Sequence, residues 1–352
     1  MRADEAFRLA SEGTALLWRG DFHNARQLLQ AMARRIDQRP RRARALAQFP
    51  QAFHLHRQAR AQRARTLGML LLPFEPGHKL ALRRAPDVRA ACEAVYGAAP
   101  APYVTSLREL QGLIGAWQWQ EKGVPIAALG ARIYPCYGVY SPVRGEYLDL
   151  VARAPLPQSA TAGGAGAPLT ALDIGTGTGV IAALLARRGV ARVIATDQDP
   201  RALDCARANV RRLGLEDRVT VVQADLFAPL PPGAARPLLA VCNPPWVPAR
   251  PAAPVEHAVY DLDSRMLRGF LDGLRGRLAP QGEGWLILSD LAEHLRLRSR
   301  EQLLGWIDAA GLTVAGRLDA RPQHPKAGDA SDPLHAARRA EVTSLWQLRI
   351  KR

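Results

Sequence analysis

Apolar positions along this 352-residue chain change their rhythm part-way. In the first 70 residues they recur every three or four positions. Phe7, Leu9, Ala10, Leu16 and Leu17 share one stretch, and Leu28, Leu29 and Met32 line one side of FHNARQLLQAMARRID. That spacing predicts helices. Gly20-Asp21 separates the first two, Pro40 opens a third, RRARALAQ, and Pro50 closes the region. QAFHLHRQARAQRARTLGMLLL then runs from basic to apolar, and residues 73–135 mix Pro, Gly and short apolar pieces that predict short helices and irregular connections.

Beyond about residue 132 the pattern is different. A Pro/Gly/Ser/Ala stretch near 155–168, APLPQSATAGGAGA, reads as a flexible connector. Short apolar runs then alternate with amphipathic ones. LTALDIG, ARVIATD, RVTVVQAD, PLLAVCN, GWLILSD, LTVAGRLDA and EVTSLWQLRI read as strands. TGVIAALLARRG, PRALDCARANVRRLG, SRMLRGFLDGLRGRLAP and REQLLGWIDAAG read as helices. Strands joined by helices of this length form a doubly wound, mostly parallel, Rossmann-like α/β sheet, here seven-stranded. The expected division is a mainly helical N-terminal domain, 1–131, and an α/β domain, 132–352.

Three strand ends carry chemistry. LDIGTGTGV places Asp173, Gly175, Thr176, Gly177 and Gly179 between a strand and a helix. The glycines permit a tight turn and close approach of a ligand, and the helix start offers unpaired N–H groups. The next strand ends in Asp197-Gln198, where a carboxylate can accept both hydroxyls of a ribose. The third ends in Asp225-Leu226. A nicotinamide dinucleotide loop would carry Gly-x-Gly-x-x-Gly, but Val180 stands at the third glycine, and Asp173 precedes the first glycine by two residues.

The fourth strand ends in Val-Cys-Asn-Pro-Pro-Trp, residues 241–246. Pro244 drives Asn243 toward an extended conformation, Pro245 does the same to Pro244, and neither proline has an N–H. The corner is stiff and presents two acceptors, the Asn243 side-chain oxygen and the Pro244 carbonyl. Two acceptors a few ångström apart suit a planar NH2, and Trp246 offers a face on which to stack it. Such a nitrogen is a poor nucleophile, so orientation and fixed dipoles count for more than a strong base.

Asp-x-Gly-x-Gly-x-Gly resembles the first motif of class I S-adenosylmethionine (SAM) dependent methyltransferases. Asn-Pro-Pro-Trp resembles the motif of their amino methyltransferases, which include HemK-type release-factor glutamine methyltransferases, RsmC/RlmG-type ribosomal RNA guanine methyltransferases and DNA adenine methyltransferases. The resemblance spans about residues 132–352. It implies SAM as cofactor, Asp173 near its amino-acid end, Asp197 and Gln198 at the ribose, and Asp225 and Leu226 at the adenine. It further implies an acceptor site of Asn243, Pro244, Pro245 and Trp246, in which Asn243 and Pro244 hold the acceptor nitrogen and Trp246 stacks on its plane. GVYSPVRGEYLDLV resembles the segment laid over the SAM pocket, which puts Tyr140 and Pro142 near the cofactor, and the stretch after the motif has an acid at Asp261. HemK-type enzymes usually carry Tyr or Phe where Trp246 stands, which alters the pocket.

The remaining composition changes the picture little. Net charge is +16, almost all from arginine, with lysine only at 79, 122, 326 and 351. A basic N-terminal surface would suit RNA or a ribosome. Cys92, Cys136, Cys205 and Cys242 are far apart and the histidines show no ligand spacing, so no metal is expected. The N-terminus lacks an apolar signal core and no run is long enough to span a membrane, so cytoplasm is the default location. The expectation is a SAM-dependent N-methyltransferase acting on a protein glutamine or an RNA base amine. Its rivals are a ribosome- or nucleic-acid-binding protein on an inactive methyltransferase fold, a nicotinamide-dependent oxidoreductase and a small-molecule N-methyltransferase.

Overall fold

In the computed structural model, residues 39–47, 141, 143–144, 158–167, 231–234, 252–253, 323–328, 331 and 352 lie outside the described part. The helix expected after Pro40 and most of the connector fall there. The chain forms two compact units, Met1–Lys122 and Gly123–Arg352.

The first unit contains α1 (Ala3–Ser11), β1 (Leu16–Leu17), α2 (Phe22–Asp37), α3 (Gln51–Gly68), β2 (Leu70–Phe74), α4 (Arg89–Tyr96), β3 (Tyr103–Ser106) and α5 (Leu107–Lys122). Asp21 caps α2 by accepting from the backbone N–H groups of His23 (2.9 Å) and Asn24 (3.3 Å). The three strands form a small sheet in the order β1-β2-β3, which the hydrophobic spacing does not predict. Strands of two to five residues are too short for a period of two to stand out. His78 is buried. Its Nε2 lies 2.7 Å from the Gly97 carbonyl and its Nδ1 2.8 Å from the Tyr103 hydroxyl. On the basic helix α3, Arg63 is paired with Asp37 (3.1 Å).

The second unit opens with a hairpin, β4 (Val124–Ile126) and β5 (Ala131–Ile133). The expected boundary at 131/132 would cut it in two. Ile126, Leu129 and Ile133 belong to the core of the second unit, so its first residue is Gly123. Then follow α6 (Glu146–Arg153), β6 (Thr170–Ile174), α7 (Val180–Arg187), β7 (Arg192–Asp197), α8 (Pro200–Arg212), β8 (Val219–Gln223) and β9 (Leu239–Cys242). The chain ends with α9 (Arg265–Arg277), β10 (Glu283–Ser289), α10 (Leu291–His294), α11 (Arg300–Ala309), β11 (Leu312–Ala320), α12 (His335–Ala340) and β12 (Thr343–Ile350).

The seven-stranded sheet has the order β11-β12-β10-β9-β6-β7-β8. From β10 through β8 all pairs are parallel, and β12 is antiparallel to both its neighbours. Alternate side chains feed two cores. Ala171, Leu239, Val241, Trp285 and Ile287 pack with α6 and α7, whereas Leu172, Ile174, Ala240, Cys242, Leu286 and Leu288 pack with α9 and α11. Burial on both faces explains why these strands read as unbroken apolar runs. The fold is a Rossmann-like α/β sheet with helices on both sides. Among the described residues no helix is long and apolar enough to cross a membrane.

Candidate functional site

Strand register sets the site. Ile174 of β6 lies opposite Cys242 of β9 in a parallel pair. The next residues, Gly175 and Asn243, therefore leave the sheet from neighbouring strands at the same level. Strands stand roughly 5 Å apart in the sheet. This is the carboxyl edge of the strands, where the strand order reverses at β6, the usual crevice for ligands in open α/β sheets.

The glycine loop is held from beneath. The N–H groups of Gly175 and Thr176 both donate to the Thr196 carbonyl at the end of β7, at 2.9 and 2.8 Å. Gly175, Gly177 and Gly179 have φ of +73°, +54° and +81°, which only glycine adopts without strain. A Cβ on Gly179 would come within 3.3 Å of the Ala206 backbone in α8, and one on Gly175 within 2.3 Å of Met266 Cε. At Gly177 a Cβ would meet open space.

Asp173 lies under the loop with no exposed surface. Its Oδ2 accepts from the Thr176 hydroxyl (2.6 Å) and from the Ala182 N–H in the first turn of α7 (3.0 Å). Its Oδ1 is buried without a hydrogen-bond partner. Burial raises the carboxyl from 3.8 to about 7; the two hydrogen bonds oppose the rise and the charge of Asp197 adds to it. The Tyr147 phenol in α6 is buried and pushed up by burial, then by the charges of Tyr140 and Asp173.

Asp197 closes β7. Its Oδ2 accepts from the Gly177 N–H and its Oδ1 from the Asp199 N–H, both at 3.0 Å. Burial pushes its carboxyl up while those N–H bonds pull it down. Gln198 is exposed, and its carbonyl accepts from Gln223 Nε2 at 3.4 Å. Asp225 is exposed and ion-paired with Arg265 at the start of α9. Leu226 adopts a left-handed φ of +68°; its carbonyl accepts the Thr196 hydroxyl at 2.6 Å, and its side chain packs onto the face covered by α9. A left-handed non-glycine residue costs about 1–2 kcal/mol, which its packing and hydrogen bond offset.

At the end of β9, Asn243 is half-buried, Pro244 is buried, and Pro245 and Trp246 are half-buried. The two prolines turn the chain so that the Trp246 indole N–H donates to Asn243 Oδ1 at 2.8 Å. The oxygen expected to serve an acceptor nitrogen thus already holds one partner. The indole, read from sequence as a stacking face, is also tied by its polar edge. Beyond it, the Asp261 N–H donates to the Val247 carbonyl at 3.0 Å. Asp261 Oδ2 in turn accepts from the N–H groups of Met266 (2.8 Å) and Leu267 (3.4 Å), capping α9. A continuous path therefore runs from the corner through Asp261 and Met266 to the glycine loop.

The sequence reading gives no place to Met266 or Arg265. The only trace of Met266 is the missing side chain at Gly175, and nothing in the sequence marks Arg265 as the partner of Asp225.

Residues 171–253 match the family model described as a methyltransferase domain. The release factor glutamine methyltransferase of Moorella thermoacetica is 48% identical over 90 residues, 25% of this chain and 31% of that protein. The enzyme of the same name from Cereibacter sphaeroides is 38% identical over 157 residues, 43% of this chain and 51% of that protein. The tRNA1(Val) (adenine(37)-N6)-methyltransferase of Shewanella loihica is 33% identical over 135 residues, 36% of this chain and 56% of that protein. The chain thus spans only about a third to a half of the length of these relatives. Sequence likeness and strand topology coincide on one stretch: residues 171–253, which match the methyltransferase-domain model, carry both the glycine loop and the Asn-Pro-Pro-Trp corner of the Rossmann-like sheet.

Proposed function

We propose that this protein is a SAM-dependent N-methyltransferase whose acceptor is a planar amide or amino nitrogen in a macromolecule, with a protein glutamine as the first choice. The observation that supports this most is the side-by-side exit of Gly175 and Asn243 from adjacent parallel strands. A cofactor in the glycine loop would have the Asn-Pro-Pro-Trp corner directly beside it.

The residues present fit SAM. Asp173 Oδ1 is a buried carboxylate oxygen lacking a donor, which suits a ligand bringing an ammonium group. Asp197 stands at the end of the second strand, where ribose hydroxyls are held in related crevices. The gap above Gly177 lets a ligand approach the backbone. When bound, SAM supplies an electrophilic methyl group and its leaving group.

The chain's own part is orientation. Asn243 Oδ1 and the Pro244 carbonyl accept the two N–H hydrogens of the acceptor and aim its nitrogen into the crevice. The Pro244 carbonyl is fixed before the acceptor arrives, because Pro244 and Pro245 restrict the backbone. Hydrogen bonds to both hydrogens favour the nitrogen as it becomes tetrahedral and positive. No strong base is needed: the product cation is far more acidic than the starting amide and gives its proton to water. The mainly helical first unit, Met1–Lys122, is the proposed recognition element.

Glutamine is preferred because the relatives from Moorella and Cereibacter are release factor glutamine methyltransferases. An RNA base amine is the second reading, favoured by the tRNA adenine relative and by the net charge of +16. The test is incubation with methyl-labelled SAM and a lysate from a strain lacking the protein. Label that survives nuclease and is released by protease supports the protein acceptor. The reverse pattern supports RNA, and no macromolecular label overturns both.

A further inference from the structure

We propose that Trp246 is a positioning residue: its indole N–H fixes which way the Asn243 carboxamide faces, and so presets the acceptor clamp. This rests on the N-methyltransferase reading above.

The inference starts from the 2.8 Å contact between Trp246 Nε1 and Asn243 Oδ1. An indole N–H can only donate. The amide atom facing it must therefore be the oxygen. Turning the carboxamide over would set its NH2 against the indole N–H, two donors face to face, and would lose the bond. A carboxamide without such a neighbour has two orientations of similar energy, and only one of them offers an acceptor to an incoming NH2. Trp246 removes the unproductive one. The oxygen retains a second lone pair for the acceptor.

The spacing makes this local device possible. Residues 243 and 246 are brought together by the Pro244-Pro245 turn, which has little freedom to open. Trp246 is itself anchored, since its ring packs against the cores on both sides of the sheet. The direction of fixation therefore runs from packed ring to amide. A phenylalanine at 246 could fill the same space and still offer a face, but it has no N–H to select the amide orientation. A net hydrogen bond of this kind contributes a factor of roughly 2–10.

A double-variant cycle separates positioning from packing. Trp246→Phe removes the N–H, and Asn243→Asp makes the two side-chain oxygens equivalent, so that no orientation remains to be selected. The acceptor is the lysate fraction that the wild type labels, and SAM affinity is measured by calorimetry for every variant. In the Asn243 background, Trp246→Phe is expected to lower kcat about tenfold, with KM and SAM affinity within twofold. In the Asn243→Asp background the same change is expected to cost less than twofold. An equal loss in both backgrounds overturns positioning in favour of packing.

A second readout needs no activity. In a 15N-proton spectrum, the indole signal that disappears in Trp246→Phe is expected to be protected from hydrogen exchange. That protection should vanish in Asn243→Ala and persist in Asn243→Asp. An unprotected indole in the wild type overturns the bond itself. A protected indole in a chain that labels no fraction overturns the methyltransferase reading, and with it any catalytic use of the bond.

Discussion

Asp173→Asn is expected to reverse part of the pH dependence of stability. In the free protein this carboxyl is fully buried and has its pKa raised from 3.8 to about 7, chiefly by burial. A folded-state value above the unfolded one means that folding binds a proton at this group. Its stabilising effect is complete below pH 3.8 and is lost as the pH rises through about 7. At about 1.4 kcal/mol per pH unit, that interval corresponds to about 4 kcal/mol, of which about 2.5 kcal/mol falls between pH 5 and pH 8. Asparagine keeps a side-chain oxygen for the Thr176 hydroxyl and the Ala182 N–H, and it carries no charge at any pH. Denaturant unfolding of wild type and variant without cofactor, at whole pH units from 5 to 8, reads this group together with its coupling to Asp197, because the remaining titrations are shared. The stability of the variant relative to wild type should climb by about 2.5 kcal/mol across that range. A difference that stays flat within about 0.5 kcal/mol would refute the burial argument for Asp173.

Two further changes probe the cofactor loop and the helix beside it. Asp197→Ala removes the acceptor for the Gly177 and Asp199 N–H groups, so SAM affinity measured by calorimetry should fall at least tenfold; an unchanged affinity would remove Asp197 from the site. Gly273→Ala would bring a Cβ within 2.3 Å of the Phe227 ring, which is stacked on Phe270 and cannot easily retreat. Thermal or urea unfolding should show a loss of about 1–3 kcal/mol from overpacking, and wild-type stability would mean that the ring moves freely.

The legible part of this chain is the α/β part, whose central strands β6, β9 and β10 are buried on both faces. From Leu169 onward, apolar runs ending in Asp173, Asp197, Asp225 and Asn243 mark the strand ends that meet at one edge of the sheet. Strand order puts the glycine loop and the Asn-Pro-Pro-Trp corner side by side, because β6 and β9 are neighbours although 64 residues lie between Ile174 and Leu239. Less was legible before residue 134. The hairpin of β4 and β5 has three residues per strand, and β1 has two, so alternation never shows. Charge pairing was equally hidden, as with Asp225 and Arg265, which are 40 positions apart. The bond from Trp246 to Asn243 could have been suspected from the i, i+3 spacing across two prolines, but an indole reads first as an apolar surface. Asp261 shows the same limit: an acid was visible near the motif, yet its role in capping α9 depends on the parallel bridge of Tyr260 to Val247 and on a helix that starts four residues after Asp261.

The clamp itself is tested most directly by Asn243→Ala. Methyl-labelled SAM, a lysate from a strain lacking the protein, and either wild type or variant are combined, with SAM affinity measured alongside. The expected result is label in a macromolecular fraction with wild type, none with the variant, and SAM affinities within a few-fold of each other. Undiminished labelling by Asn243→Ala would contradict the idea that this amide and its neighbouring carbonyl hold the acceptor nitrogen.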